Sequence, residues 1–267
     1  MSQRTRKPTA EPRRRLSARP PLRIMTTTLW EYPSQHYDSA DGARVQGDQD
    51  FEGATPSWLI WQLLTRYTRE NDLVVDPMAG SGTTLDVARD LGRRALGYDL
   101  APTRDDIFRV DARKLPLETG KADFVFVAPP YSTHIKYSDD RRCIGQLDAA
   151  GEDGGQAYYD AMRSVIAEIH RVLKPRRYMD LYVSDSWRKR RGTAGDGAGV
   201  FMPIGFELFA ILREKFRPVD IVAVVRQNAK LKRGNWHKAA EEGNFFLRGF
   251  NYLFIMKKLD DGPRPKK

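Results

Sequence analysis

The chain has 267 residues, with 45 lysines and arginines against 35 aspartates and glutamates, and a formal net charge of +10. Its length suits one domain with a sizeable core and leaves no room for a large second domain. The positive charge favours a polyanionic partner such as DNA or RNA. No apolar run approaches the roughly eighteen residues of a membrane span, and a lone Cys143 suits a reducing compartment. We therefore expect a cytoplasmic protein.

The ends of the chain differ in composition from its middle. Residues 1–24 combine arginines and prolines with few apolar side chains, which predicts a basic, disordered tail. That tail is either a solvated extension or an arm that contacts a nucleic-acid backbone. We expect one domain over residues 25–260 and a flexible end over residues 261–267. The four histidines are far apart in the sequence, so we predict no metal site.

Two segments precede the first predicted strand. Residues 29–50 are predicted to be a loop anchored by aromatic side chains, which either pack in the core or approach a ligand. Residues 55–67 predict a helix, with Thr55 as its cap, Pro56 at its first position, and Leu59, Leu63 and Tyr67 at four-residue spacing.

Residues 73–99 predict a strand, a glycine loop, a helix and a second strand. The apolar run 73–75 meets Asp76 and Pro77, the turn Ala79-Gly80-Ser81-Gly82 follows, and a helix is predicted over 83–91. Glycines let a backbone approach a ligand, the amides that open a helix donate hydrogen bonds, and an acid after the second strand, here Asp99, suits a ribose. This pattern predicts a nucleotide-like cofactor.

The loop lacks two features of phosphate-binding loops. Leu85 stands where the dinucleotide fingerprint has its third glycine, and no Gly-Lys-Ser/Thr is present. The pattern therefore favours a cofactor without phosphates, with adenosine and a charged amino-acid tail.

Strands and helices then alternate to the end of the domain. Further strands are predicted over 95–98, 107–110, 124–127, 178–183, 219–225 and 252–256, and further helices over 158–173 and 206–216. Alternating elements with apolar strands predict an α/β fold, with a mostly parallel, Rossmann-like sheet covered by helices on both faces.

The strand over 124–127 ends at Ala128-Pro129-Pro130-Tyr131, where two prolines turn the chain away from the sheet. In open α/β sheets the carboxyl ends of the strands hold ligands. Together with the loop after Asp76, this motif resembles the DNA amino-methyltransferases, which methylate N6 of adenine or N4 of cytosine. The resemblance implies a seven-stranded class I methyltransferase fold whose last strand is antiparallel, S-adenosyl-L-methionine as cofactor, base flipping, and a link to restriction-modification.

The resemblance also implies roles for individual residues. Asp76 would lie near the methionine amine, Asp99 would bind the ribose, and Asp111, followed by Ala112, would accept a hydrogen bond from the adenine amino group. The predicted cofactor-binding residues are Thr55, Asp76, Pro77, Ala79, Gly80, Ser81, Gly82, Thr83, Asp99, Asp111 and Ala112; the predicted catalytic residues are Ala128, Pro129, Pro130 and Tyr131.

Position 128 departs from the family, which normally has Asp, Asn or Ser there as an acceptor for the target amine. Losing one preorganised partner typically costs roughly 2.7 to 4 kcal/mol, or about a hundred- to a thousandfold in rate, so we expect impaired catalysis. Three explanations remain open: an engineered replacement of Asp or Ser, which we favour, a naturally inactive member, or substitution by another group.

Three short segments after strand ends, 132–150, 184–204 and 226–250, mix basic with aromatic or amide side chains, which suits phosphate contact and base stacking. The residues predicted to contact nucleic acid are His134, Lys136, Tyr137, Arg188, Arg190, Arg226, Lys232, Arg233, Trp236 and His237. Short loops leave RNA open as the substrate besides DNA. A noncatalytic binding homologue is the other alternative, and either a monomer or a homodimer is compatible with the sequence.

Overall fold

The structure is a computed structural model that describes residues 19–39, 45–48, 50–188, 199–226, 231 and 233–260. Its strands are β1 (Leu29–Trp30), β2 (Leu73–Asp76), β3 (Arg94–Asp99), β4 (Ile107–Arg109), β5 (Ala122–Val127), β6 (Leu173–Val183), β7 (Ser186–Arg188), β8 (Val200–Met202), β9 (Arg217–Val225) and β10 (Phe250–Lys257). Its α-helices are α1 (Ser57–Tyr67), α2 (Thr83–Asp90), α3 (Gln156–Val172), α4 (Ile204–Arg213) and α5 (Gly234–Glu242).

Eight of these strands form one sheet in the order β1-β9-β10-β6-β5-β2-β3-β4. Strands β2 to β6 pair in parallel, and β10 runs antiparallel to both β6 and β9. Without β1 and β10 this is the doubly wound order of a Rossmann sheet. All seven predicted strands are present, and the last of them is the antiparallel one. The predicted class I methyltransferase fold is confirmed.

Two apolar layers cover the two faces of the sheet. All six residues of β5 are buried, with Val125 and Val127 in the layer beneath α3 and α4, and Phe124 and Phe126 in the layer beneath α1. Alternate strand residues point to opposite faces, so a strand buried on both sides has no polar face. This packing is the reason that residues 124–127 of β5 form a continuous apolar run in the sequence.

The segment before α1 belongs to the core. Trp30, Tyr32 and Tyr37 are buried and pack with Trp58 of α1 in the layer that contains Phe124 and Phe126. The short strand β1 pairs with β9, which extends the sheet by one strand beyond the predicted seven. Of the two roles predicted for these aromatic side chains, core packing is the one observed.

The predicted tail ends earlier than residue 24. Arg19 forms an ion pair with Asp38 at 3.1 Å, and the carbonyl of Pro20 accepts a hydrogen bond of 2.7 Å from the Tyr32 hydroxyl. The Gln62 side chain of α1 donates to the carbonyl of Arg23 at 2.6 Å. The boundary at residue 24 was therefore wrong, because the described residues 19–24 already pack on the domain. Residues 1–18 and 261–267 lie outside the described residues.

Two further predictions need correction. The residue that precedes α1 as its N-cap is Pro56, and Thr55 lies one position earlier and caps nothing. The predicted loop 226–250 contains α5, which has no buried residue. A helix without a buried face has no apolar periodicity, so the sequence pattern could not reveal it.

No helix in the described part of the chain is both long and apolar enough to cross a membrane.

Candidate active site

The glycine loop is tied to both elements that flank it. Asp76, the last residue of β2, is buried, and its Oδ1 accepts a hydrogen bond of 3.0 Å from the Met78 backbone N–H. Its Oδ2 accepts a hydrogen bond of 2.6 Å from the Thr84 hydroxyl in the first turn of α2. Burial raises the pKa of Asp76 to about 7, although the two hydrogen bonds oppose that rise. The carboxyl group of Asp76, at the end of β2, therefore titrates near neutral pH.

The loop itself has a conformation that favours glycine. Gly80 has φ +45°, and a Cβ there would lie 3.0 Å from the ring of Phe51. Gly82 has φ +78°, and a Cβ there would lie 2.4 Å from the guanidinium of Arg104. Arg104 in turn forms an ion pair with Asp86 of α2 at 2.7 Å. Glycine is required because both backbone angle and neighbouring groups exclude a side chain.

Asp99, the last residue of β3, faces the loop. Its Oδ2 accepts a hydrogen bond of 3.1 Å from the Gly80 N–H, and its Oδ1 accepts one of 2.9 Å from the Ala101 N–H. A carboxylate has about four lone-pair sites. After these two bonds it retains capacity for a pair of hydroxyl groups such as those of a ribose.

Asp111 follows β4 and is engaged by a neighbouring cation. Its carboxylate accepts hydrogen bonds of 3.0 Å from the Arg113 N–H and of 2.9 and 2.6 Å from the Arg113 guanidinium. Burial acts to raise the pKa of Asp111, but the Arg113 interactions outweigh it and hold the pKa below its usual value. Asp111 is therefore an anion with one acceptor site left for a ligand.

These groups meet in one cavity of about 970 Å³, counting its open mouth. The predicted residues that line it are Thr55, Asp76, Pro77, Ala79, Gly80, Ser81, Thr83, Asp99, Asp111, Ala112, Ala128, Pro130 and Tyr137. Gly82, Pro129 and Tyr131 are not among the lining residues.

Other lining residues were not predicted. They are Phe51, Gly53, Ala54, Met78, Thr84, Leu100, Ala101, Thr103, Val110, Cys143 and Ile144. Five of these eleven residues adjoin a predicted residue in sequence, so a wider window around each motif includes them: Ala54, Met78, Thr84, Leu100 and Val110. Cys143 and Ile144 lie at the cavity because the segment 132–150 folds back over it. Neither their residue types nor their spacing in the sequence predicts this position.

The Pro-Pro-Tyr turn is held from two sides. The Tyr158 hydroxyl of α3 donates a hydrogen bond of 2.7 Å to the carbonyl of Pro130. Ser132 has φ +59°, and its hydroxyl accepts a hydrogen bond of 2.8 Å from the Ala149 N–H. These contacts fix where the chain leaves β5. Ala128 therefore keeps its place in the wall of the cavity, beside the glycine loop.

The residues predicted to contact nucleic acid are spread over the carboxyl ends of several strands. His134, Arg233, Trp236 and His237 are exposed, as is Lys136, which pairs with Asp139; Arg226 is half-buried and Tyr137 lines the cavity. Arg188 is the last residue of β7. Arg190 and Lys232 lie outside the described residues.

Within the described ranges, no cluster of three or more His, Cys, Asp or Glu side chains forms a metal site.

The fold and this cavity define a class I methyltransferase architecture, with a glycine loop, three acids and a Pro-Pro-Tyr turn at one sheet edge. Residues 2–109 match the sequence profile of the family described as DNA methylase. This part of the chain is thus similar to the DNA methylase family.

Individual relatives match shorter stretches. The Type II methyltransferase M2.DpnII of Streptococcus pneumoniae is 46% identical over 44 residues, 16% of each chain. M.MjaII of Methanocaldococcus jannaschii is 24% identical over 115 residues, 43% of this chain and 22% of the relative. The chain thus matches less than a quarter of either relative's length. Among solved structures, TrmN from Thermus thermophilus is 17% identical, covers 78% of this chain and 50% of its own, and has a TM-score of 0.49.

Proposed function

We propose that the protein is a cytoplasmic S-adenosyl-L-methionine-dependent methyltransferase that acts on the exocyclic amine of adenine (N6) or cytosine (N4) in DNA. The single observation that supports this function is the shared cavity. Ala128 and Pro130 of the Pro-Pro-Tyr turn line the same space as the glycine loop and Asp76. A methyl donor in the loop would therefore lie next to the position where the family holds its target amine.

The polar groups of the cavity suit this cofactor. S-adenosyl-L-methionine, when bound, supplies a methyl group on a sulfonium and needs no phosphate site. The free acceptor sites of Asp99 and Asp111 suit the ribose hydroxyls and the adenine amino group, and Asp76 suits the cationic amine. The glycine loop leaves room for the nucleoside because no Cβ projects from Gly80.

The chain's own groups would position the amine for in-line attack. Two acceptors against its N–H groups free the nitrogen lone pair from the ring, so positioning and electrostatics lower the barrier. The backbone carbonyl of Pro129 supplies one acceptor, and Ala128 supplies none. The half-buried ring of Tyr131 suits stacking of an extruded base. We therefore expect transfer at a lower rate than with an acceptor at position 128.

DNA is favoured over RNA for two reasons. The family profile that matches residues 2–109 is that of DNA methylases, and the sequence-similar relatives are named as Type II methyltransferases. The net charge of +10 suits either polymer. RNA is the second candidate substrate, since the loops after the strands are short and RNA is often read as single strands.

The test is methyl transfer from tritiated S-adenosyl-L-methionine to duplex DNA, single-stranded DNA and RNA, offered separately and followed by nucleoside analysis. The native chain and Ala128→Asp are compared, with cofactor binding measured for both. Label in N6-methyladenine or N4-methylcytosine from DNA is the expected result. Label confined to RNA would replace the substrate assignment. Cofactor binding without label from either protein would identify a noncatalytic homologue.

A further inference from the structure

A second set of polar side chains lies beside Ala128 on the same face of the sheet. Val127 of β5 pairs with Leu181 of β6, which places Ala128 next to Tyr182. Tyr252 of β10 pairs with Val183, so the next pair along this antiparallel ladder is Asn251 and Ser184. Cross-strand pairs share a face, and alternate residues of a strand share a face. Ala128, Tyr182, Ser184 and Asn251 therefore project from one side of the sheet.

Asn251 and Ser184 are buried with unsatisfied oxygens. Asn251 is 6% exposed and Ser184 is 1% exposed. Neither Asn251 Oδ1 nor Ser184 Oγ has a hydrogen-bond partner within the part of the chain that the structure describes. Buried acceptors are nearly always paired in native proteins, because an unpaired one costs folding free energy. Each unpaired buried acceptor therefore needs an explanation. One explanation is a ligand that donates the missing hydrogen bond when it binds.

The amide of Asn251 has an orientation that leaves its oxygen free. Its Nδ2 lies 3.5 Å from the Tyr131 hydroxyl. It also faces Tyr182, whose pKa burial raises to about 12 against the effect of a hydrogen bond from Asn251. Because two tyrosine hydroxyls face the nitrogen, the carbonyl oxygen is the group available to a partner that donates.

The position of Tyr131 connects Asn251 to the target base. Its hydroxyl reaches Asn251, so a base stacked on the Tyr131 ring lies beside the Asn251 amide. Only β6 separates β5 from β10, and Asn251 lies opposite Ser184, two residues beyond Tyr182. The backbones at Ala128 and Asn251 are therefore about 12 Å apart, two strand spacings across the sheet and two residues along it. The Tyr131 side chain bridges this gap, because Tyr131 directly follows Pro130 and its hydroxyl lies 3.5 Å from Asn251 Nδ2. A base stacked on the Tyr131 ring would therefore lie between the Pro-Pro turn and Asn251.

We propose that Asn251 Oδ1 accepts a hydrogen bond from the exocyclic amine of the target base and so supplies the acceptor that Ala128 lacks. This inference rests on the proposed function and deepens it. An acceptor at this place selects bases with an amino group, because a keto oxygen offers it no hydrogen. Arg226 lies near Asn251 along the same ladder, because its backbone N–H donates a hydrogen bond of 2.9 Å to the Gly249 carbonyl. Its guanidinium suits the phosphate of the same nucleotide.

The test is a double-mutant cycle between positions 128 and 251, with single-turnover methyl transfer as the readout. Asn251→Leu and Asn251→Ala are made in the native chain and in Ala128→Asp, and cofactor affinity and thermal stability are measured for each. Thr65→Val is the matched control, because Thr65 Oγ1 is also buried without a partner among the described residues but lies on α1. If Asn251 is the acceptor, both substitutions slow transfer by the native chain about a hundredfold, the usual effect of losing one preorganised partner.

In the Ala128→Asp chain the same substitutions should slow transfer by less than about tenfold, because two acceptors for one amine are coupled. Thr65→Val should leave the rate unchanged. The inference is overturned if Asn251→Ala folds, binds cofactor and transfers methyl groups at the native rate, or if only Ala128→Asp is active. It is also overturned if the losses at position 251 are equal in both backgrounds. Absence of transfer by every variant, Ala128→Asp included, contradicts the proposed function itself.

Discussion

The Thr84 hydroxyl donates a hydrogen bond of 2.6 Å to Asp76 Oδ2, which joins the end of β2 to the first turn of α2. The Met78 N–H donates to the other oxygen of the same carboxyl at 3.0 Å. The glycine loop is thereby closed by a group that also faces the cavity. One buried carboxyl group therefore both shapes the loop and offers a negative charge to a ligand.

Cofactor affinity should depend on the protonation of Asp76. Burial raises the pKa of Asp76 to about 7, and a cationic amine prefers the ionised carboxylate. Below pH 7 a proton must leave before binding, so affinity should fall by up to about tenfold per pH unit. Above pH 8 it should be constant. Calorimetric titration with S-adenosylhomocysteine between pH 5.5 and 8.5 measures this dependence.

Asp76→Asn is the control for that titration, because an amide does not titrate. Its affinity should be weaker than that of the native chain at pH 8 and should not change with pH. An unchanged pH dependence in Asp76→Asn would assign the titration to another group.

Gly80→Ala should weaken cofactor binding by at least about tenfold. Gly80 has φ +45° and lies under the Phe51 ring, so a Cβ strains the backbone and displaces a wall of the cavity. The left-handed conformation alone costs a non-glycine residue about 1–2 kcal/mol. Gly120→Ala is the matched control, since Gly120 has φ +68° with nothing within 4 Å of the added carbon. Both variants should lose stability, and only Gly80→Ala should lose affinity.

Asp180 should make the fold less stable as pH rises. It is fully buried on β6 between Phe126 and Ile255, and neither carboxyl oxygen has a partner among the described residues. Burial raises its pKa well above 3.8. The unfolded chain releases this proton near pH 4 and the folded chain keeps it, so the stability present below pH 4 declines as pH increases towards the folded pKa.

Asp180→Asn should therefore stabilise the protein at pH 7, by about 1 kcal/mol or more, and should flatten the decline. Urea unfolding at pH 5 and pH 8 measures both effects. Asp220→Asn serves as control, because Asp220 is exposed on β9. If Asp180→Asn is less stable than the native chain at pH 8, then the carboxylate is paired in the folded protein.

DNA binding should depend on basic residues at the carboxyl ends of the strands. Arg233, exposed at the start of α5, lies after the carboxyl end of β9, whereas Arg176 lies near the start of β6 at the opposite edge. Arg233→Ala should weaken binding and reduce the slope of log affinity against log salt by about 1. Arg176→Ala should leave both unchanged. Fluorescence anisotropy at several salt concentrations measures the slope, and equal effects of the two substitutions would contradict the assignment.

The sequence predicts most strands of the sheet, because buried strands consist largely of apolar residues. All of β5 is buried and its residues 124–127 are an apolar run, and Asp76 and Asp99 lie at the carboxyl ends of β2 and β3, as predicted. The exposed helix α5 and the two-residue strand β1 have no such pattern. The packing of Arg19 on Asp38 was also missed, because an arginine- and proline-rich composition does not reveal a single surface contact.

The site was predictable only where a motif marks it. The glycine loop and Ala128 were found from sequence, and the cavity joins them. The acceptor role that we propose for Asn251 could not be predicted from sequence, because Asn251 is one polar residue in an apolar strand and its role depends on the strands that β10 pairs with. Antiparallel insertion of β10 between β6 and β9 is a long-range property of the fold, and local sequence patterns do not contain it.

The most direct test of the central claim is calorimetric binding of S-adenosylhomocysteine at pH 8 to the native chain, Asp99→Ala and the exposed control Asp139→Ala. We predict one site per chain. Asp99→Ala should bind at least about tenfold more weakly, because two hydrogen bonds from the ribose to a charged group are lost. Asp139→Ala should bind with the affinity of the native chain. Absence of binding, or equal binding by all three proteins, would contradict the assignment of this cavity as the methyl-donor site.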